Sequence, residues 1–284
     1  MLNTLRKKIL LHDSSLNTFG EAYKKIYRKR ILAYFQNKVT PQKVFDLGDT
    51  LSDIFFLPSG RSQRSLTTSG TAWECLLVWY LNLILWDTNL VAARRSKKFV
   101  PAVINDALTV AIGQNHANTE SDIVIFSSPL ENDLKRINLE IKKNISSQYL
   151  EVMQAKTNWN DSAQIPMLWN ILYHSQKNPM SNLTVGINGF GPDLFDEFRY
   201  SFVTVPTTPI PKSNSLPVVR VSNLSGGNYW GKKSQTGIAI SIKEIFMKNH
   251  KKYFSKPILD HINDNLSKPN WIENYIDLNF PASS

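Results

Sequence analysis

The feature that most constrains the fold is the apolar segment 72–86, which lacks the polar side of a surface helix. A helix that is apolar nearly all round has to be buried among other elements. The segment is shorter than the roughly 20 apolar residues of a membrane span, and it contains Glu74 and Asn82. We therefore predict a central core helix over 72–85, preceded by a polar loop at 59–70.

The whole chain combines an ordinary globular composition with a strong positive charge. Of its 284 residues, 42% are hydrophobic and 20% are charged, and the formal net charge is +10. This balance excludes a disordered chain and favours a polyanionic partner, with nucleic acid ahead of a membrane surface. The single cysteine, Cys75, excludes an internal disulfide, and the five histidines show no paired metal-ligand spacing. We expect a cytoplasmic protein without a secretory signal.

Short apolar segments alternate with helical segments along the chain, which favours an α/β or α+β fold with a central sheet. Predicted strands lie at 122–126, 150–156, 183–187 and 200–205. Beyond the core helix, predicted helices lie at 129–147, 164–175 and 238–251.

The sequence shows no strong domain boundary, so residues 1–284 are predicted to form a single domain. Residues 1–60 are predicted as a helical N-terminal extension, whose basic side chains, such as Arg6, face solvent or a DNA backbone. Residues 206–284 are predicted as a DNA-contacting C-terminal part. The charge of that part includes Lys243, Lys248, Lys251, Lys252 and Lys256.

The candidate chemistry lies on two of the predicted strands. Asp122 begins one strand, and Gln154 and Lys156 share a face of the next, because side chains alternate along a strand. If the two strands are neighbours, the three side chains converge at one edge of the sheet. A carboxylate there can hold Mg²⁺, which prefers oxygen ligands, and a lysine can orient the water that attacks a phosphodiester.

This arrangement resembles the PD-(D/E)xK nuclease superfamily, which includes most type II restriction endonucleases. In that superfamily an aspartate is followed, after a strand and a connection, by Asp or Glu, one residue and Lys. Here Ser121 stands in place of the common proline, and Gln154 stands in place of the acid, as in some restriction enzymes. Stretches at 69–74, 118–122, 154–161, 164–169 and 224–231 are also similar to bacterial enzymes of this group.

The resemblance implies a restriction-endonuclease-like mixed central sheet flanked by helices, and site-specific, Mg²⁺-dependent hydrolysis of double-stranded DNA. Asp122, Gln154, Lys156 and Glu74 would then be catalytic. Because Gln154 lacks a charge, Glu74 or Glu120 has to complete a metal site with Asp122. A buried carboxylate such as Glu74 is costly unless it is bound or paired, and its alternative is a pair with an arginine. Glu120 would share the face of Asp122, and its alternative is exposure to solvent.

Two segments are candidates for DNA contact, because amide side chains can read base edges and lysines can meet phosphates. The first follows the catalytic lysine, and its alternative role is to hydrogen-bond loop backbone. The second is the glycine-rich segment 225–233, whose alternative is an ordinary hairpin turn. The candidate residues are Asn158, Asn160, Gln164, Asn228, Tyr229, Lys232 and Lys233.

The resemblance also implies partners. A homodimer would place two sites on the two strands of a palindrome, and a cognate DNA methyltransferase would accompany the enzyme genetically. Two other functions remain open from the sequence: a loosely specific or repair nuclease of the same fold, and a non-catalytic DNA-binding protein in which Gln154 marks a degenerated site.

Overall fold

The computed structural model is a mixed α/β structure, in which a six-stranded mixed sheet is flanked by helices and accompanied by a three-stranded antiparallel sheet. The predicted α/β class with a mixed central sheet is confirmed. Within the described ranges, no helix has both the length and the apolarity needed to cross a membrane. The structure describes residues 2–12, 26–36, 38–55, 63–95, 98–118, 121–128, 133–156, 182–204, 228–231 and 240–280, together with residues 214, 216, 219 and 223.

The elements below are numbered in chain order. The α-helices of the described ranges are α1 (Leu2–His12), α2 (Arg28–Phe35), α3 (Pro41–Phe55), α4 (Gln63–Ile84), α5 (Ala102–Leu108), α6 (Leu134–Lys143), α7 (Glu244–Lys248), α8 (Ile258–Leu266) and α9 (Trp271–Ile276). The strands are β1 (Leu90–Arg94), β2 (Thr109–Ile112), β3 (Asn115–Asn118), β4 (Ile123–Ser127), β5 (Tyr149–Lys156), β6 (Leu183–Val185), β7 (Glu197–Thr204), β8 (Tyr229–Gly231) and β9 (Ile240–Ser241).

The large sheet has the order β1-β4-β5-β7-β8-β9. Its first three strands pair antiparallel, and the pairs from β5 to β9 are parallel. The small sheet has the order β3-β2-β6 and is antiparallel throughout. Strand β5 therefore lies at the junction between the antiparallel and parallel parts of the large sheet.

Helix α4 is central to the core, as its apolar composition predicts. Its side chains Trp73 and Trp79 are fully buried. The buried Asn82 donates to the carbonyl of Ala92 at 2.8 Å and accepts from the amide of Ala92 at 3.2 Å, which ties α4 to β1. The predicted polar loop at 59–70 is wrong from residue 63 onward, where α4 already begins. Once a helix has formed, each added residue gains a backbone hydrogen bond, so a polar sequence can extend it.

Arg6 on α1 is fully buried, so the prediction that it faces solvent or DNA is wrong. Its guanidinium donates to the carbonyl of Thr88 at 2.8 Å and to the carbonyl of Leu90. Burial lowers the pKa of Arg6 to about 10. This arginine satisfies backbone carbonyls at the start of β1 and holds α1 there. In the sequence it looks like one of several basic residues, because Lys7 and Lys8 follow it.

The predicted helix over 238–251 is partly wrong. Ile240–Ser241 forms strand β9, which pairs parallel with β8, and the α-helix is confined to Glu244–Lys248. A two-residue strand carries too short an alternating pattern to be recognised from the sequence.

Strand β8 comes from the glycine-rich segment predicted to contact DNA. Trp230 is fully buried in the core. A side chain at Gly231 would collide with the carbonyl oxygen of Thr204 on the neighbouring strand β7. Gly231 therefore allows β8 to lie close to β7.

Strand β5 carries a fully buried glutamate, Glu151, within a polar network. One carboxylate oxygen accepts from Tyr149 Oη at 2.5 Å and lies 2.8 Å from His250 Nε2. The other accepts from Asn249 Nδ2 at 3.2 Å and from Ser201 Oγ. Burial alone would raise the pKa of this carboxyl, but the hydrogen bond and charge of His250, helped by Ser201 and Tyr149, hold the pKa of Glu151 below its ordinary value. The network fixes β5 against β7 and the segment after α7.

We expect Glu151→Gln to lower the free energy of unfolding by about 3–5 kcal/mol at pH 7, as when one member of a buried pair is lost. A carboxyl with a depressed folded pKa stabilises the protein above its unfolded pKa and loses that contribution as the pH falls through the folded pKa. Urea unfolding from about pH 5 to pH 3 should therefore show a weaker acid dependence in the variant. Glu140→Gln is the matched control, because Glu140 pairs with Lys143 on the surface of α6. An equal loss in both variants would contradict the role of the buried network.

We expect Gly231→Ala to lower the unfolding temperature, because the added methyl group collides with the carbonyl oxygen of Thr204. Gly70→Ala is the control, since a methyl group on Gly70 in α4 meets no atom within 4 Å. Alanine also favours a helix over glycine by about 0.5–1 kcal/mol. Thermal unfolding followed by circular dichroism measures both variants, and an unchanged transition in Gly231→Ala would contradict the close packing of β8 on β7.

Candidate active site

The antiparallel pairing of β4 and β5 brings Asp122 and Gln154 together. Ile123 pairs with Met153, and one further step along the same register places Asp122 opposite Gln154. Gln154 Nε2 donates to Asp122 Oδ2 at 2.8 Å, and the amide of Ala155 donates to the same oxygen, also at 2.8 Å. Two of the predicted catalytic residues are therefore in direct contact.

Lys156 is the last residue of β5 and is partly exposed. It lies two positions after Gln154, so both side chains leave the same face of the strand. The carbonyl of Lys156 accepts a hydrogen bond from Thr204 Oγ1 at 3.0 Å, which fixes the end of β5 against β7. The strand geometry thus places Asp122, Gln154 and Lys156 on one face at one end of the large sheet.

The amide oxygen of Gln154 is an unsatisfied buried acceptor. The residue is 1% exposed, and its Oε1 has no hydrogen-bond partner in the described part of the chain. Leaving such a group unsatisfied costs about 1–3 kcal/mol unless a ligand meets it. Hard divalent cations prefer oxygen ligands. The buried Gln154 oxygen and the Asp122 carboxylate are therefore of the ligand type that a divalent cation prefers, while the Gln154 amide nitrogen faces Asp122.

Glu74 forms an ion pair with Arg94, which is the alternative that the sequence left open for it. Glu74 Oε2 lies 2.6 Å from Arg94 Nη2 and 2.7 Å from Arg94 Nε, and the two side chains are 17% and 10% exposed. Arg94 pairs with Ile123 in the sheet, one position away from Asp122, so Arg94 and Asp122 point to opposite faces. The observed pair argues against Glu74 as the carboxylate that completes a site at Asp122.

A cation beside Asp122, Arg95, was missed in the sequence. Its amide donates to the carbonyl of Asp122 at 3.0 Å, and its Nη1 donates to Ser121 Oγ at 2.6 Å. The residue is 8% exposed, and burial lowers the pKa of Arg95 to about 10. The sequence could have identified Arg95, because it follows a short apolar segment just as Lys156 ends one. A guanidinium in this place can bind a phosphate oxygen.

Asn228 lies directly before β8. It is partly buried, and its carbonyl accepts from the amide of Phe202 at 3.0 Å, which joins it to β7. Tyr229 is described only in its backbone, as part of β8. The other predicted residues lie outside the described residues: Glu120, Asn158, Asn160, Gln164, Lys232 and Lys233. No group of three or more His, Cys, Asp or Glu side chains that could hold a metal occurs among the residues described.

Three of the five lysines assigned to the C-terminal DNA surface are paired with carboxylates. These pairs offset part of the positive charge that was predicted to contact DNA phosphates. The C-terminal part is therefore a weaker candidate for a DNA-binding surface than the sequence suggested. The pairs join Lys243 to Asp46 at 2.7 Å and to Asp49 at 2.6 Å, Lys252 to Asp196 at 3.2 Å and to Glu197 at 2.8 Å, and Lys256 to Asp264.

We expect Gln154→Glu to destabilise the protein at neutral pH by about 1–3 kcal/mol, because it replaces a donor to Asp122 with a second buried acceptor. Mg²⁺ should raise the unfolding temperature of this variant more than that of the parent, because a cation offsets the added negative charge. Thermal unfolding with Mg²⁺ or with chelator measures both effects.

The control for this substitution is Gln42→Glu. Gln42 also donates to an aspartate, Asp46, at 2.9 Å, but on the exposed surface of α3. A like-charge pair there should cost only about 0.2–0.5 kcal/mol. If Mg²⁺ leaves Gln154→Glu unchanged, the pair of Asp122 and residue 154 does not hold a cation.

Comparisons with known proteins do not assign the chain to a family. The sequence matches no protein-family model, and a search of curated proteins returns no significant match. A functional assignment therefore depends on the geometry at the end of β5 and on the motif resemblance in the sequence.

Proposed function

We propose that the protein is a Mg²⁺-dependent endonuclease of the PD-(D/E)xK type that hydrolyses double-stranded DNA at a specific site, as a type II restriction enzyme does. One observation carries the proposal. Asp122 and Gln154 are hydrogen-bonded across adjacent strands, and Lys156 follows on the same face of β5. The mixed order of the large sheet is compatible with a restriction-endonuclease-like fold.

Asp122 and Gln154 would hold the cation, because they offer a carboxylate and a buried amide oxygen. When bound, Mg²⁺ activates a water molecule and offsets charge on the scissile phosphate. Lys156 would position the attacking water and stabilise negative charge that develops in the transition state. Arg95, which directly follows β1, would bind a phosphate oxygen.

The partners in this proposal follow from the net charge and from the resemblance to restriction enzymes. A net charge of +10 favours the approach to a polyanion such as duplex DNA. A homodimer would present two active sites to the two strands of a palindromic sequence. In a cytoplasmic setting, a cognate methyltransferase would protect the host DNA.

A second function, non-catalytic DNA binding, is favoured by one observation. Glu74, which was predicted to join Asp122 at a metal site, forms an ion pair with Arg94. A protein of this kind would bind duplex DNA and never cut it, whatever the divalent cation.

The test is cleavage of a defined plasmid by the purified protein and by Lys156→Ala, with Mg²⁺ or with excess chelator. General acid–base groups contribute about 10²- to 10⁴-fold, so we expect a loss of at least about 100-fold in Lys156→Ala. The control is Lys38→Ala, an exposed lysine between α2 and α3.

The products separate the rival functions. Discrete fragments are expected from a site-specific enzyme, whereas a smear would indicate a loosely specific nuclease. A mobility shift without cleavage would support the non-catalytic protein. Parental cleavage by Lys156→Ala would contradict the assignment of the site, and cleavage in excess chelator would contradict the need for a metal.

A further inference from the structure

A β-ribbon formed by β2 and β3, residues 109–118, immediately precedes the candidate site in the chain. Ile112 pairs with Asn115, so Gly113 and Gln114 form a two-residue turn, in which Gly113 adopts a φ of 59°. Such a turn requires positive φ, which glycine adopts without strain.

The exposure of the ribbon increases towards its turn. At its base Thr109 and Val110 are 8% and 4% exposed, whereas Ile112 near the tip is 51% exposed. Residues 113–116 are all exposed. Side chains of Ile112 and Asn115 lie on one face and that of His116 on the other, so both faces of the tip are accessible.

A third strand supports the ribbon. β6 pairs with β2 over Val185, Thr184 and Leu183. The amide of Gly113 at the turn donates to the carbonyl of Asn182 at 2.8 Å. The tip is therefore supported on one side, which lets it keep its shape when it enters a groove.

The side chains of the tip have the chemistry of base readers. Gln114, Asn115 and His116 carry amide and imidazole groups, and residues 109–118 include no Lys, Arg, Asp or Glu. Contacts to phosphates rely mainly on Lys and Arg, whereas Asn and Gln form paired hydrogen bonds with adenine in the major groove. An uncharged, amide-rich tip in a chain of net charge +10 is therefore suited to bases.

The tip is within reach of the bases beside the candidate site. Four residue steps separate Asn118 from Asp122, which spans at most about 14 Å for any path of the chain. The three steps from Asn115 to Asn118 add about 10 Å along the strand. The tip is thus within about 25 Å of Asp122, the length of roughly seven base pairs at 3.4 Å per step.

We infer that the β2–β3 ribbon enters the major groove and reads base edges close to the cleaved phosphodiester, an inference that rests on the proposed nuclease function. The major groove is about 12 Å wide and admits two strands, so the β2–β3 turn with residues 112–116 would enter it while β6, paired along β2, would stay outside. A second copy of the chain is the competing occupant, through the outer edge of β3. Edge pairing favours long, apolar strands, and β3 has only four residues, of which three are Asn115, His116 and Asn118.

The test selects sequences from a random duplex library in excess chelator, which prevents metal-dependent cleavage. We expect the parent to enrich a motif. The combined variant Gln114→Ala, Asn115→Ala and His116→Ala should lose base discrimination about 5- to 150-fold at one or more positions of that motif. Its affinity for unselected duplex should stay within about twofold, because phosphate contacts supply non-specific binding. The control is Asn263→Ala, an exposed asparagine on α8.

An isosteric variant sharpens the test and preserves the shape of the tip. Aspartate accepts a hydrogen bond from cytosine, whereas asparagine pairs with adenine. Asn115→Asp should therefore shift the preferred base at one position from adenine to cytosine.

Selection of the parental motif by the combined variant would overturn the inference and leave the nuclease proposal intact, since plasmid cleavage tests that proposal separately. Failure of the parent to enrich any motif would also overturn it. The combined variant could also keep the parental motif but differ from the parent in molecular mass by sedimentation. That result would assign the ribbon to contact with a second copy and would equally overturn the inference.

Discussion

Strand β5 is the constraint on which the rest of the structure depends. It pairs with β4 on one side and with β7 on the other, and seven of its eight residues are buried. Every polar side chain on such a strand needs a partner, because a buried polar group without one is costly. Glu151 finds its partners on one face, and Gln154 finds Asp122 on the other. The same strand thus joins the stabilising network to the candidate active site.

The charge of the candidate site is unusual for a metal-dependent nuclease. Among the described residues it combines the carboxylate of Asp122 with two cations, Arg95 and Lys156. Gln154 contributes a neutral oxygen, and Glu74 is engaged by Arg94. A site with little negative charge attracts a cation less strongly by itself, but repels a DNA phosphate less.

Much of the framework could be predicted from the sequence, because the apolar segments of α4, β4 and β5 have clear patterns. The pairing of Asp122 with Gln154 required a register that only the folded sheet defines. The sequence left a pair of Glu74 with an arginine open but could not identify Arg94 as the partner, and it did not indicate that Arg6 is buried. β8 and β9 were missed because strands of two or three residues carry too little periodicity.

The most direct measurement of the central claim is the rate of plasmid cleavage at saturating Mg²⁺ by the parent and by Asp122→Asn. The substitution keeps the size of the side chain and removes the charge that would hold the cation. Because a bound metal ion contributes several kcal/mol to transition-state stabilisation, we predict a rate loss of at least about 10³-fold. Thermal unfolding should show that the variant remains folded. A folded Asp122→Asn protein that cuts DNA at the parental rate would contradict the account.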